Sequence, residues 1–166
     1  FHRLRDWMVV LTAYDTGMRR SELAGLKVED FDFGRRCVRV LGKGGKRREI
    51  PLLDELASDA RCYLEERRKV AGSPTGAFFV TDKGKPMSGY QIYYLIRKVL
   101  SSDVNLSKRS PHVLRHTFAT HLLDNEAPLE GIKELLGHSN LGVTQIYTHN
   151  SIERMKKVFK QAHPRA

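Results

Sequence analysis

Cysteine is scarce in this sequence: Cys37 and Cys62 are the only two in 166 residues. That excludes a disulfide framework and points to a reducing, cytosolic setting. Long hydrophobic runs are also missing. The longest candidate, Trp7 to Tyr14, falls far short of the roughly 18 residues a membrane helix needs. No signal peptide, repeat or low-complexity segment is visible. The chain opens at Phe1, followed by His2, Arg3 and Arg5, and reads as a piece of a longer protein. Acidic residues are outnumbered, 19 against 29 basic, so the formal net charge is +10. Such a surface favours a polyanion, either nucleic acid or an acidic membrane, or it is a solvated basic surface without a partner. Charge alone does not separate these. At 40% hydrophobic and 29% charged, the chain can build one domain's core and is not disordered.

The patterning predicts a mainly helical fold with one small antiparallel β-sheet. Leu4, Trp7, Met8 and Leu11 share one face of a first helix, and Gly17 interrupts it. A short helix through Ser21, Glu22 and Leu23 follows. Residues 37–41 read as a strand and 47–50 as its partner, ended by Pro51. Gly44-Gly45 between them suits a two-residue hairpin turn, which needs positive φ at both positions. A long helix turns Leu53, Leu56, Ala57, Ala60 and Leu64 inward. Residues 76–81 are a third strand candidate, centred on Phe78 and Val80. Ser88 and Gln91 form a capping box ahead of a helix facing Ile92, Leu95, Ile96 and Val99 inward. A polar loop is expected over 101–110. Ser110-Pro111 then starts a helix that buries Leu114, Phe118 and Leu122. Pro128 opens another, with Leu129, Ile132 and Leu136 inward, closed by Gly137. Two last helical stretches carry Val143 and Ile146, then Ile152, Met155 and Phe159.

His112, Arg115 and His116 share one face of the helix that starts at Ser110. Arg115 beside a helix N-terminus makes an anion site, phosphate above all; the same face also suits a plain solvated basic surface. Zinc is disfavoured there, because no Glu accompanies the histidines and a cation sits between them. The 42–46 stretch lacks the spacing of a phosphate-binding Walker loop and sits between strands. What remains is a hairpin tip with Lys43, Lys46, Arg47 and Arg48, either a solubilising turn or a finger on a phosphodiester backbone. Serine and cysteine nucleophile motifs are lacking. Tyr147, nine residues after His138, is either a core residue or a group facing a site.

Taken together, these segments resemble the catalytic domain of the tyrosine recombinases, the phage-integrase family. Thr16-Gly17-Met18-Arg19-Arg20-Ser21-Glu22-Leu23 is similar to that family's Thr-Gly-x-Arg-x-x-Glu-Leu box. Gly42-Lys43-Gly44-Gly45-Lys46 resembles its hairpin lysine motif, and Pro111 to His121 its His-x-x-Arg box. Leu135-Leu136-Gly137-His138-Ser139 and Tyr147-Thr148-His149 resemble its last two. The closing His163-Pro164-Arg165-Ala166 is similar to the tail of the Xer subgroup. In the loop 124–128, Glu126 stands where family members often have Gly and Pro128 where Asp is frequent; Asn125 is expected to take the left-handed turn.

The resemblance implies a catalytic domain over 1–166 without the family's N-terminal DNA-binding domain. It implies a site-specific recombinase that cleaves and rejoins double-stranded DNA through a 3′-phosphotyrosyl link and a Holliday junction. By match, Arg19 and Arg115 clamp the phosphate, Lys43 is the hairpin lysine, His112 and His138 are the box histidines, and Tyr147 is the nucleophile. Arg19 rather than Arg20 is chosen because the family arginine lies two residues after the Gly. Lys46, Arg47, Arg48 and His116 are expected on flanking DNA. No metal, ATP or other cofactor is implied. The implied setting is cytoplasmic, prokaryotic and nucleoid-associated. The implied assembly is a tetramer on two DNA sites, with the helix from Ile152 to Phe159 exchanged between neighbours or packed on its own domain. A non-catalytic DNA-binding module and a type IB topoisomerase are the alternatives.

Overall fold

Helix α1 spans His2–Thr16 and helix α2 spans Arg20–Gly25. A single 3-10 turn, Val28–Asp30, leads into strands β1 (Phe31–Asp32), β2 (Cys37–Leu41) and β3 (Arg47–Pro51). Helices α3 (Asp54–Val70), α4 (Gly89–Ser101), α5 (Pro111–Asp124), α6 (Leu129–Leu136) and α7 (His149–Ala162) follow. These elements come from a computed structural model that describes residues 1–70, 75–101, 110–137 and 149–165; in the last stretch it describes side chains at 153, 156, 157 and 159–165. The fold is mainly α with one small antiparallel sheet, as the patterning predicts. Strand order is β1-β2-β3. No helix is long and apolar enough to cross a membrane among the described residues.

Helix α1 is the hub, packed against α3, α4 and α5. It therefore buries more than one stripe: Met8, Val9, Leu11, Thr12 and Ala13 are all inside. Trp7, expected inward, is 54% exposed on the rim of that face. Val99 and Leu129 are likewise exposed, at 40% and 55%, each near an end of its helix. Leu135 takes the inward place on α6. The α3 face of Leu53, Leu56, Ala57, Ala60 and Leu64 is buried as expected. The capping box forms: Ser88 N–H donates to Gln91 Oε1 at 2.9 Å and Gln91 N–H to Ser88 Oγ at 3.2 Å.

Three local expectations are corrected. Residues 76–81 are not a sheet strand; they make only isolated bridges, Lys27 with Ala77 and Val80 with Pro86. Phe78, Phe79 and Val80 are buried in succession rather than alternately. The carbonyls of Ala77 and Phe78 are taken by the guanidinium of the buried Arg67, and that of Phe79 by the Met87 N–H. The third strand is instead β1, two residues long and too short for a period to register. The hairpin turn is a loop over 42–46, since Leu41 pairs with Arg47. Gly44 and Gly45 both have φ of 75°, so the demand for glycine holds although the turn is longer. After α5 the left-handed residue is Glu126 (φ 63°), not Asn125 (φ −92°). Asn125 is committed elsewhere: its Nδ2 donates to Ala162 O at 2.8 Å.

The end of α7 packs on its own domain. Phe159 stacks near Phe118 and His163, with centroids 6.1 and 4.8 Å away. Arg165 then bridges Asp15 at 2.7 Å and Glu55 at 2.8 Å. Asp15 Oδ1 and His163 Nε2 face each other at 3.8 Å, both buried without a hydrogen bond. Burial pushes Asp15 up to about 6 against the pull of Arg165, and burial with the Arg165 charge pushes His163 down to about 4. Folded Asp15 holds its proton above the ordinary value of 3.8, so its term lowers stability as pH rises from about 4 to about 6. Folded His163 sheds its proton below the ordinary 6.5, so its term raises stability over the same window. The two oppose. His163→Phe removes one, and its unfolding free energy relative to the parent should fall between about pH 4 and pH 6, by an amount on the order of 2 kcal/mol. Thermal melts of both proteins across that range check this.

Candidate active site

Gly17 ends α1 in the left-handed conformation, φ 62°. A Cβ there would lie 2.5 Å from the Phe118 ring and 3.0 Å from Leu136. Only glycine lets the α1 end approach α5 and α6 this closely. Two residues on, Arg19 is the N-cap of α2 with extended backbone. Glu22, three residues into the cap, accepts the Arg19 N–H at 2.7 Å on Oε2 and Arg19 Nη1 at 3.1 Å on Oε1. Arg20 points elsewhere, its guanidinium 5.7 Å from the Tyr93 ring centre.

The other side of Glu22 is held by Arg48, which corrects an expectation. Arg48 is 4% exposed and does not project toward solvent with its hairpin neighbours. Its Nη1 and Nη2 donate to Glu22 Oε1 and Oε2 at 2.8 and 2.9 Å, and its Nε donates to Leu135 O at 2.8 Å. This is a fork-to-fork pair. Strand parity places it: Arg48 pairs with Val40, and Ile50 with Val38, so all four share the inner face. Burial raises the Glu22 carboxyl, but the bonds and charges of Arg48 and Arg19 outweigh it and hold the group below the ordinary range. Glu22 is ionised at neutral pH.

Helix α5 brings in Arg115. Nη1 donates to Gly17 O and Nη2 to Leu136 O, both at 2.6 Å. Leu135 and Leu136 close α6, where carbonyls have no intrahelical partner and carry partial negative charge. Arg48 takes one and Arg115 the other. Burial pushes the Arg115 guanidinium down to about 10, with the Arg19 charge adding to the drop and Glu22 opposing it. It remains charged at neutral pH. Three guanidiniums thus surround one carboxylate, leaving a net charge of +2.

His112 and His116 lie exposed on the same α5 face as Arg115. Lys43, Lys46 and Arg47 lie exposed on the hairpin. Gly42 ties the base of that hairpin to the site: a Cβ there would meet Glu22 Oε1 at 3.5 Å and Arg48 Nη1 at 3.6 Å. His138 and Tyr147 lie outside the described residues, as do Val143, Ile146, most of the 101–110 loop and the side chains of Ile152 and Met155. Among the described residues, no three His, Cys, Asp or Glu side chains group to hold a metal ion. Sequence reasoning gave Glu22 no role and put Arg48 on flanking DNA instead of beside the clamp. The signals were present: Glu at the third position after a cap residue, and a strand parity that turns Arg48 inward.

A model of the phage integrase family matches residues 2–154. The tyrosine recombinase XerC of Corynebacterium glutamicum is 42% identical over 163 residues, covering 98% of this chain and 52% of the relative. XerC of Mycobacterium tuberculosis is 41% identical over 165 residues, covering 98% and 55%. The chain thus spans about half the length of these curated relatives. Among solved structures, XerA recombinase superposes with a TM-score of 0.77 at 30% identity, over 99% of this chain and 60% of that one. XerH bound to its difH substrate in a pre-cleavage complex gives 0.72 at 29% identity, over 93% and 46%.

Proposed function

This chain belongs to the phage integrase family, and we propose that it is the catalytic domain of a site-specific recombinase acting on double-stranded DNA. The observation that carries this reading is the convergence of Arg19 and Arg115 from boxes far apart in sequence: Arg19 sits on the Glu22 carboxylate, and Arg115 on the carbonyls of Leu136 and of Gly17, two residues before Arg19. Their net positive field suits a phosphodiester, which becomes more negative as it turns into a phosphorane.

In this reading Arg19 and Arg115 clamp the scissile phosphate, joined by His138. Tyr147 Oη attacks phosphorus and forms a 3′-phosphotyrosyl bond as the bond to the 5′ oxygen breaks. A tyrosine hydroxyl has a pKa near 10, so His112 takes its proton. Lys43, exposed in the hairpin loop, gives a proton to the departing 5′ oxygen. The phosphotyrosyl bond conserves the phosphoester energy, so a 5′-hydroxyl from another strand can reverse the reaction without ATP. Lys46, Arg47 and His116, all exposed, contact flanking backbone. Exchange of α7 in a tetramer would require release of the Phe159 and Arg165 contacts described above.

The test is a nicked recombination-site DNA incubated with the intact protein and resolved on a denaturing gel. A covalent protein–DNA species and Holliday junctions are expected. Site binding without an adduct would favour a non-catalytic binding module. Relaxation of supercoils by monomer without site preference would favour a topoisomerase.

A further inference from the structure

The contacts of one buried side chain join parts of the fold that the reaction needs together. Arg48 lies on β3, directly beyond the hairpin that carries Lys43. Its fork holds Glu22, which caps the α2 turn bearing Arg19. Its Nε holds the Leu135 carbonyl at the end of α6, next to the Leu136 carbonyl that binds Arg115. A Cβ on Gly137 would lie 3.0 Å from Arg48 Nη1, so the glycine before His138 lies against the same guanidinium. Both Glu22 oxygens are already shared between Arg48 and Arg19.

We propose that Arg48 is a positioning residue for phosphodiester cleavage: it takes most of the Glu22 charge and pins the α6 end, so that Arg19 gives the carboxylate one guanidinium bond, Arg115 gives it none, and their other N–H groups are left for phosphate. This rests on the cleavage reading above. Without Arg48, the buried Glu22 carboxylate has only the two clamp arginines to neutralise it, and it competes with DNA for them. The competition has a signature that a merely structural role lacks. Neutralising Glu22 makes matters better, not worse, once Arg48 is gone.

The experiment compares Arg48→Met, Arg48→Lys, Glu22→Gln and the double variant Arg48→Met/Glu22→Gln in the intact protein. Single-turnover cleavage of site DNA, site affinity and melting temperature are measured for each. Arg48→Met should lower cleavage by about a hundredfold. Site affinity should change by less than about threefold, since most DNA contacts are to flanking phosphates. Adding Glu22→Gln to Arg48→Met should recover about tenfold in cleavage, a coupling opposite in sign to additive damage. Arg48→Lys keeps the charge without the fork, and should fold and cleave at an intermediate rate. If Arg48→Met does not fold, Arg48→Gln, an uncharged side chain that can still donate a hydrogen bond, carries the same comparison with and without Glu22→Gln. Cleavage by the variants at the parent rate, or a double variant no better than the single, overturns the assignment. A parent protein that forms no adduct overturns the cleavage reading itself, which keeps the two failures distinct.

Discussion

Tyr147→Phe should eliminate the covalent protein–DNA species while leaving site binding unchanged. The substitution removes one oxygen and keeps the ring, so the DNA contacts made by other residues stay in place. No other side chain is assigned as a nucleophile in the proposed scheme, and a water held in its place would give a free 3′-phosphate rather than an adduct. The expected loss in cleavage is on the order of 10^4-fold or more, as for removal of a covalent nucleophile elsewhere. A denaturing gel with nicked site DNA reads the adduct, and a mobility-shift assay reads binding. An adduct that persists in Tyr147→Phe would remove Tyr147 from the mechanism and send the search to another hydroxyl.

Arg115→Ala should produce the next largest effect, on two scales at once. Each terminal nitrogen of Arg115 donates to one carbonyl, Gly17 O or Leu136 O, and has a second N–H available for a phosphate oxygen. Truncation removes the clamp from the transition state, a loss of about 10^2 to 10^3 in cleavage rate. It also leaves two part-buried carbonyls without their donor, at about 1–3 kcal/mol each. Arg115→Lys separates the scales. One ammonium cannot span both carbonyls and a phosphate, so cleavage should still fall by about a hundredfold while much of the stability returns. Single-turnover cleavage and denaturant melts measure the two. A lysine variant cleaving at the parent rate would show that charge alone suffices at this position.

The features legible in the sequence were those set within a few residues. Ser88 and Gln91 close a capping box because the box spans three positions of one chain segment. Gly44 and Gly45 take positive φ because only the local loop demands it. Leu114, Phe118 and Leu122 bury one face of α5 because the helix period alone aligns them. The order of the motif boxes marked Arg19 and Arg115 without any knowledge of distance. Arg20 could be set aside by its spacing from Gly17, and its guanidinium lies over Tyr93 rather than beside Glu22.

Other features were decided by partners distant in the chain. Arg48 looked like one more cation on a basic hairpin; the pairing with Val40 and the carboxylate of Glu22 turned it inward. Residues 76–81 read as a strand from composition, yet the buried guanidinium of Arg67 and the 24–28 segment supplied their hydrogen-bond partners instead of a sheet edge. Trp7 fitted a helical stripe but fell outside the cover of α3, α4 and α5. By itself, then, the sequence determined the described helices, the glycines of the hairpin loop and which residues are candidate catalytic groups, because spacing along one chain segment controls those. The tertiary structure alone decided which cations lie exposed on the hairpin and which are spent inside. A buried charge is tolerated only where a counter-charge comes within hydrogen-bonding reach, and for Arg48 that counter-charge, Glu22, arrives from another part of the chain.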